Sequence, residues 1–279
     1  MTPSVEVRGV SKVFGAGRPN AVPALLDIDL TIEPGEFVTL IGPSGCGKST
    51  QLRLIANLVE PTTGEVRVNG KPARKARLDQ DYGMAFQQAG LFEWRTVAKN
   101  VELPLELKGW DRARRRARAL EMLELVKLPD FAEHYPWQLS GGMQQRIAIA
   151  RALAAHPPLL LMDEPFGALD EMTREHMQSE LLRICRETST TVVFVTHSIP
   201  EAVYLSTRVV VMSPRPGRIT DVIEVDLGPN RDVETREADA FFKKVTEVRE
   251  ALRGAGVEPD TAAPETLEPE TLPSEALEP

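Results

Sequence analysis

The stretch that decides the reading is Phe37-Val-Thr-Leu-Ile-Gly-Pro-Ser-Gly-Cys-Gly-Lys-Ser-Thr50. Phe37 to Ile41 is an apolar run of strand length. It stops at Gly42, and a helix-like segment begins at Lys48. Between them Gly42, Gly47, Lys48 and Ser49 fit the spacing G-x-x-x-x-G-K-[ST], with a further glycine at Gly45. These residue types suit a phosphate. Glycines let successive backbone N–H groups curl round phosphate oxygens with no Cβ in the way. The helix start adds the positive end of its dipole. Lys48 is spaced to reach the β- and γ-phosphates, and the Ser49 hydroxyl to ligate Mg²⁺. Pro43, Ser44, Cys46 and Thr50 complete the loop. A glycine-rich turn with an accidental lysine is the competing reading, and the strand and helix on either side argue against it. The thiol of Cys46 inside the loop predicts inactivation by thiol reagents, with bound nucleotide protecting.

Composition narrows the class. The chain has 279 residues, 42% of them hydrophobic, enough for one large α/β domain with a sub-lobe. No apolar run approaches the ~20 residues of a membrane span. The opening Met1-Thr-Pro-Ser-Val-Glu lacks the basic and apolar segments of a secretory signal. Cys46 and Cys185 make no disulfide framework, so a reducing cytoplasm is expected. Net charge is −8, and the segment 254–279 carries seven of the acidic residues with no Lys or Arg, which leaves the remainder near neutral. That distribution lacks the basic footprint of a nucleic-acid binder.

In chain order, residues 5–10 alternate as a half-buried strand, with Phe14 expected in the loop beyond. Ala24 to Ile32 alternates again, with Leu26, Ile28, Leu30 and Ile32 on one face. A helix is expected from Ser49 to Val59, then a short strand ending at the Asn69-Gly70 turn and a polar surface connection over 71–81. Tyr82 to Phe86 reads as a strand. Asp111 to Val126 reads as a helix with Ala117, Leu120 and Leu123 on its apolar face, and its cluster of five arginines as a solvated surface. Leu159 to Asp163 and Thr191 to His197 read as buried strands ending in polar residues. Helices are expected over 147–155 and 172–187. Apolar strands alternating with helices give a parallel sheet covered on both faces, with Gly42, Asp163 and His197 at strand C-terminal ends, where such sheets bind ligands. A helical stripe of Phe241, Phe242, Val245, Val248 and Leu252 follows, and then the Pro- and Glu-rich tail, which reads as disordered.

The run Leu139-Ser-Gly-Gly-Met-Gln-Gln-Arg146 resembles the signature motif of ATP-binding cassette (ABC) ATPases. With the phosphate loop and Leu159-Leu-Leu-Met-Asp-Glu-Pro165 it follows that family's order, and the resemblance spans about Val5 to Leu227. It implies a P-loop NTPase fold: an α/β parallel-sheet core, an N-terminal antiparallel β subdomain and an inserted helical subdomain over about 88–157. The cassette would occupy 1–228, a helical extension 229–253 and the acidic tail 254–279. It implies that Asp163 holds Mg²⁺ with Ser49, and that Glu164 is the general base for the water attacking the γ-phosphorus. His197 is then the switch histidine at the γ-phosphate. Gln87 is the glutamine that touches the metal or the water and reports to the helical subdomain, and Phe14 stacks on adenine, a core position being the competing reading. Ser140, Gly141 and Gly142, with Asp170, would close over ATP held by a second cassette, so the working unit is a homodimer or a paired cassette with two ATP molecules.

One cassette without inserted arms is similar to an importer subunit, peripheral at the cytoplasmic face of the membrane. Its partner would be a permease, with a solute-binding protein acting indirectly and no nucleic acid. A soluble ABC ATPase with a regulatory or nucleic-acid role is the alternative. Leu91 to Val97, Asn100 to Leu105, Asp163 to Asp170 and Met212 to Ile219 resemble the nitrate/sulfonate/taurine branch, which also contains importers of thiamine-precursor pyrimidines and riboflavin. Ser198 and Asn57 depart from the common pattern, where Asp and Gly are usual.

Overall fold

The structure is a computed structural model that describes residues 2–256 apart from Pro229 and the side chain of Val233. Of the tail expected to be disordered over 254–279, Gly254 instead closes the last helix, and residues 257–279 lie outside the described residues. The chain runs β1 (Val5–Phe14), β2 (Val22–Ile32), β3 (Phe37–Ile41), α1 (Lys48–Ile55), β4 (Thr63–Val68), β5 (Lys71–Pro72), α2 (Ala73–Leu78) and β6 (Tyr82–Ala85). Then come α3 (Val97–Leu107), α4 (Arg112–Leu125), α5 (Gly141–Leu153), β7 (Leu159–Asp163), α6 (Glu171–Thr188), β8 (Thr191–Val195) and α7 (Ile199–Leu205). The hairpin β9 (Arg208–Met212) and β10 (Ile219–Glu224) is followed by α8 (Val233–Glu237) and α9 (Asp239–Gly254).

Every residue of β3, β7 and β8 is buried, the pattern of central strands covered on both faces. They lie side by side in a sheet of order β10-β9-β3-β8-β7-β6, parallel except for β10. Leu40 and Asp163 both pair with Val195, so the C-terminal ends of β3, β8 and β7 are level. The second sheet, β2-β1-β4-β5, is antiparallel. Val5, Ile28 and Val68 of this sheet share one core with Leu52 and Ile55 of α1 and with Val38, Leu161 and Val193 of the parallel sheet. The other face of the parallel sheet packs a second core that includes Val101, Leu123 and Ile149, from the mutually packed helices α3, α4 and α5. The phosphate loop thus leaves β3 with α1 clamped between two sheets.

Several local expectations shift, each for a physical reason. In β2, Asp27 adopts φ 52° and opens a bulge, so Leu25 takes the core place and Leu26 is only half-buried. β1 extends to Phe14, which ends a strand and does not lie in a loop. α1 stops at Ile55, before Val59, because Asn57 takes the left-handed conformation at φ 49°. Asparagine substitutes there for glycine in closing a helix, which explains the departure seen in the sequence. The connection 71–81 contains β5 and α2. α4 buries Ala119, Met122 and Leu123, while Ala117 and Leu120 face water. α5 begins six residues earlier than Ile147, at Gly141. On α9, Phe241, Val245, Val248 and Leu252 are buried and Phe242 is exposed. β10 had no expectation; its residues alternate only weakly, with one buried position, Ile223.

Candidate nucleotide site

Backbone geometry makes the phosphate loop. Gly47 caps α1 at φ 108°, and a Cβ there would lie 2.6 Å from Leu25 Cδ2. Lys48 is buried, and its Nζ donates to the carbonyls of Gly42 (2.8 Å) and Pro43 (3.0 Å), which holds the ammonium over the loop. Ser44 and Gly45 are exposed at the crown, and Thr50 follows Ser49 in the first turn of α1. Cys46 is fully buried, and burial pushes its thiol pKa up against the opposing pull of Lys48. A thiol that is both covered and protonated reacts slowly, so the expected sensitivity to thiol reagents loses its basis. Behind the loop stands Gly217, a residue sequence reading passed over. Its N–H donates to Ala24 O (2.9 Å), its carbonyl accepts from Leu26 N (3.0 Å), and a Cβ on it would lie 2.0 Å from Cys46 O.

At the level end of β7, the Ser49 hydroxyl donates to Asp163 Oδ1 at 2.8 Å. Asp163 is buried, and desolvation raises its pKa against the lowering effects of Ser49, Arg53 and Lys48. Glu164 follows with φ 45°, an unusual conformation for a residue with a Cβ. Its N–H donates to Val195 O (3.0 Å), which fixes it against the end of β8. The carboxylate oxygen Oε2 meets Gln87 Nε2 from one side and His197 Nδ1 from the other, both at 3.4 Å. Gln87, and not Gln88, is therefore the glutamine that reaches Glu164. His197 presents a side chain that is 69% exposed, unlike a core histidine. A cavity of ≈ 90 Å³ opens between Glu164, Gly167, Thr196 and His197, with room for water beside the carboxylate.

Two α5 side chains hold the Gln87 segment in place. Gln145 Nε2 donates to Phe86 O at 2.8 Å, and the Arg151 guanidinium donates to Ala89 O (2.8 Å) and Gly90 O (2.9 Å). Neither role was read from the sequence: α5 also carries Gln144 and Arg146, so residue type alone does not single out the two side chains that hold this loop. The same helix starts with the signature run. Ser140 caps it, accepting from Met143 N at 3.3 Å, and Ser140 and Gly141 are exposed while Gly142 lies against Ala168 O. Asp170 is exposed and caps α6 through Thr173 N (2.9 Å). Phe14 is 44% exposed at the end of β1, with Lys12 Nζ 5.1 Å from its ring centre, so the core alternative does not hold.

The donor set fits Mg²⁺ carried by a nucleotide. Ser49 Oγ, Asp163 and Gln87 offer a hydroxyl, one carboxylate and one amide around the phosphate loop. Among the described residues no group of three or more His, Cys, Asp or Glu could hold a metal alone. Mg²⁺ in phosphoryl-transfer sites takes one or two carboxylates and completes its shell with phosphates and water.

Comparison with known proteins agrees with this geometry. The profile described as "ABC transporter" matches residues 25–167. The chain is 48% identical over 248 residues, 89% of its length and 92% of the relative's, to an uncharacterized ABC transporter ATP-binding protein of Methanocaldococcus jannaschii. It is 44% identical over 91% of its length to the nitrate import ATP-binding protein NrtD of Synechocystis sp., covering 97% of that protein. With the taurine import ATP-binding protein TauB of Yersinia pestis it shares 47% identity, over 74% of this chain and 80% of that one. Among solved structures, the dimeric post-hydrolysis state of the ATP-binding cassette MJ0796 bound to ADP and Pi superposes with TM-score 0.74 at 39% identity, over 79% of this chain and 98% of that one. Profile, relatives and fold converge: this chain belongs to the ABC transporter family, as one of its ATP-binding cassettes.

Proposed function

We propose that this chain is the ATP-hydrolysing subunit of an importer, driving solute through a membrane permease of the nitrate/sulfonate/taurine type. The observation that carries the catalytic part is Glu164, pinned to β8 and faced by Gln87 and His197 beside the Ser49–Asp163 pair. The loop amides, the start of α1 and Lys48 bind and orient the β- and γ-phosphates. Lys48 exchanges its loop-carbonyl bonds for phosphate oxygens. Glu164 accepts the proton of the attacking water, and His197 and Gln87 hold that carboxylate and the water in line. Bound Mg²⁺, held by Ser49, Asp163 and Gln87, would neutralise charge on the phosphates. Phe14 stacks on the base.

Ser140 and Gly141, exposed at the start of α5, close over ATP held on the phosphate loop of a second cassette, with Asp170 at the seam. The same helix grips the Gln87 segment through Gln145 and Arg151. Closure at the signature and nucleotide state at Gln87 are therefore coupled through one rigid element. None of the described helices is long and apolar enough to cross a membrane. In this reading the permease supplies the membrane span, and the subunit sits peripherally at the cytoplasmic face. The relatives that work in nitrate and taurine import support the solute class.

Two measurements test this. Size-exclusion of Glu164→Gln with and without Mg-ATP should show a dimer only with nucleotide. Co-expression with a permease of that solute class should bring the chain into the membrane fraction and raise its ATP turnover. Recovery from the soluble fraction regardless of permease, with turnover unchanged, would refute the importer assignment.

A further inference from the structure

A line of polar side chains, buried at Gln178, Glu201 and Thr196, runs from the C-terminal helices to the loop that carries His197. Arg236, on α8, donates from Nη2 to Gln178 Oε1 at 2.5 Å. Gln178, on α6, is fully buried and donates from Nε2 to Glu201 Oε1 at 2.8 Å. The other carboxylate oxygen of Glu201, on α7, accepts the hydroxyl of Thr196 in a short hydrogen bond. Thr196 Oγ1 in turn accepts the backbone N–H of Ser198 at 3.0 Å, and Ser198 Oγ caps Glu201 N at 3.4 Å. Thr196 and Ser198 are the two neighbours of His197: the first bonds the Glu201 carboxylate through its hydroxyl, and the backbone N–H of the second reaches that carboxylate through the same hydroxyl. The outer end is anchored as well. The Arg236 guanidinium stacks on the Tyr204 ring at 3.5 Å and lies 3.9 Å from Glu175. Tyr204 OH donates to Arg231 O, and Arg231 donates to the carbonyls of Val203 and Tyr204.

Stability alone is a poor explanation for such a chain. A buried carboxylate is expensive in an apolar interior unless it is fully hydrogen-bonded. Burial raises the pKa of Glu201, against the lowering effects of Thr196 and Gln178 and of the charges on Arg174 and His197. What the arrangement provides is direction. A networked group holds its neighbours to one geometry, and here the neighbours carry a histidine whose own ring is exposed.

We propose that Glu201, Gln178 and Arg236 are positioning residues that aim His197 at Glu164, so that the C-terminal helices set the rate of ATP hydrolysis. This rests on the hydrolytic reading of the site. The chain gives two contacts for the set point: the Gln178–Glu201 bond inside the cassette and the Arg236–Gln178 bond that crosses to α8. Because α8 lies beyond β10, movement or displacement of the C-terminal segment changes the aim of the switch histidine without touching the phosphate loop.

The test uses the full-length protein with Mg-ATP and three forms: wild type, Arg236→Met and Arg236→Lys. Methionine keeps an aliphatic stem over Tyr204 and removes the donor; lysine returns a donor. Arg236→Met should lower kcat about tenfold, the factor that one ordinary hydrogen bond is worth. KM for ATP should stay within about twofold and the melting midpoint should fall by only a few degrees, roughly the cost of leaving Gln178 Oε1 without its donor, with Arg236→Lys recovering part of kcat. The ring resonances of His197, assigned by comparison with His197→Ala, should move in Arg236→Met even without nucleotide. Unmoved resonances, or an unchanged kcat in a folded protein, would overturn the proposal. So would kcat, KM and melting midpoint falling together with no rescue by lysine, the pattern of a purely structural contact. The resonance readout needs no turnover, so it judges the relay even if wild type fails to hydrolyse ATP, a result that would instead sink the hydrolytic reading.

Discussion

Gly217→Ala isolates the support behind the phosphate loop. The substitution adds one Cβ, which in the present geometry would lie 2.0 Å from Cys46 O and 3.1 Å from Leu25 Cδ2. The nearer obstacle is backbone, so no side chain can swing away to relieve it. Gly217 is also fixed through its own N–H and carbonyl to Ala24 and Leu26. The cheapest escape is rotation of the Cys46–Gly47 peptide plane. That plane is rigid, and it carries the Gly47 N–H on the other side of the bond, one of the amides that line the loop. Overpacking of this kind costs ~1–3 kcal/mol. If the loop absorbs it, nucleotide affinity falls by roughly 5- to 150-fold, and the melting midpoint falls by roughly 2–4 °C for each kcal/mol lost. Titration with a fluorescent nucleotide and a thermal melt measure both effects. Gly254→Ala is the control, since a Cβ there meets nothing within 4 Å. Affinity and melting midpoint both equal to wild type in Gly217→Ala would refute the buttress argument.

Further expectations concern thiols and the base. Burial pushes the Cys185 thiol up to about 12 and raises Cys46 as well, so both stay protonated through pH 8. Native protein should label slowly with a thiolate-selective reagent and unfolded protein at both positions; fast native labelling that ATP blocks would restore the exposed-thiol reading. Because raised thiol pKa values favour folding below the unfolded value near 9, any linked loss of stability should appear only as pH rises past that point. Phe14→Ala should weaken ATP binding by about 1–3 kcal/mol, the range for base–aromatic stacking, with no change in melting midpoint, since the ring is half-exposed; an equal loss of stability would mark it as a packing residue instead.

Most of the cassette's frame is legible in the sequence because its signals are local. Short, mainly apolar runs fix β3, β7 and β8, and the residues that close them place Gly42, Asp163 and His197 at or just beyond the strand ends. What escapes is whatever depends on non-local contact. The bulge at Asp27 changes which leucine is buried, and alternation alone carries no sign of it. The apolar face of α4 is chosen by α3 and α5, so Leu120, a plausible core residue by type, ends in water. Gly217, Gln145 and Arg151 act on loops far away in sequence, and their roles emerge only when those loops are in place. Asn57 is the intermediate case: its departure from glycine is visible in the sequence, and its left-handed φ supplies the reason.

The role of Glu164 is the centre of the mechanism, and steady-state hydrolysis by Glu164→Gln measures it directly. The amide keeps the size of the side chain and can still meet Gln87 and His197, but it cannot take a proton. ATP affinity should be retained while kcat falls by about 10²–10⁴-fold, the usual contribution of a positioned general base. Turnover near wild type with affinity unchanged would remove Glu164 from that role and, with it, the mechanism built around the ends of β7 and β8.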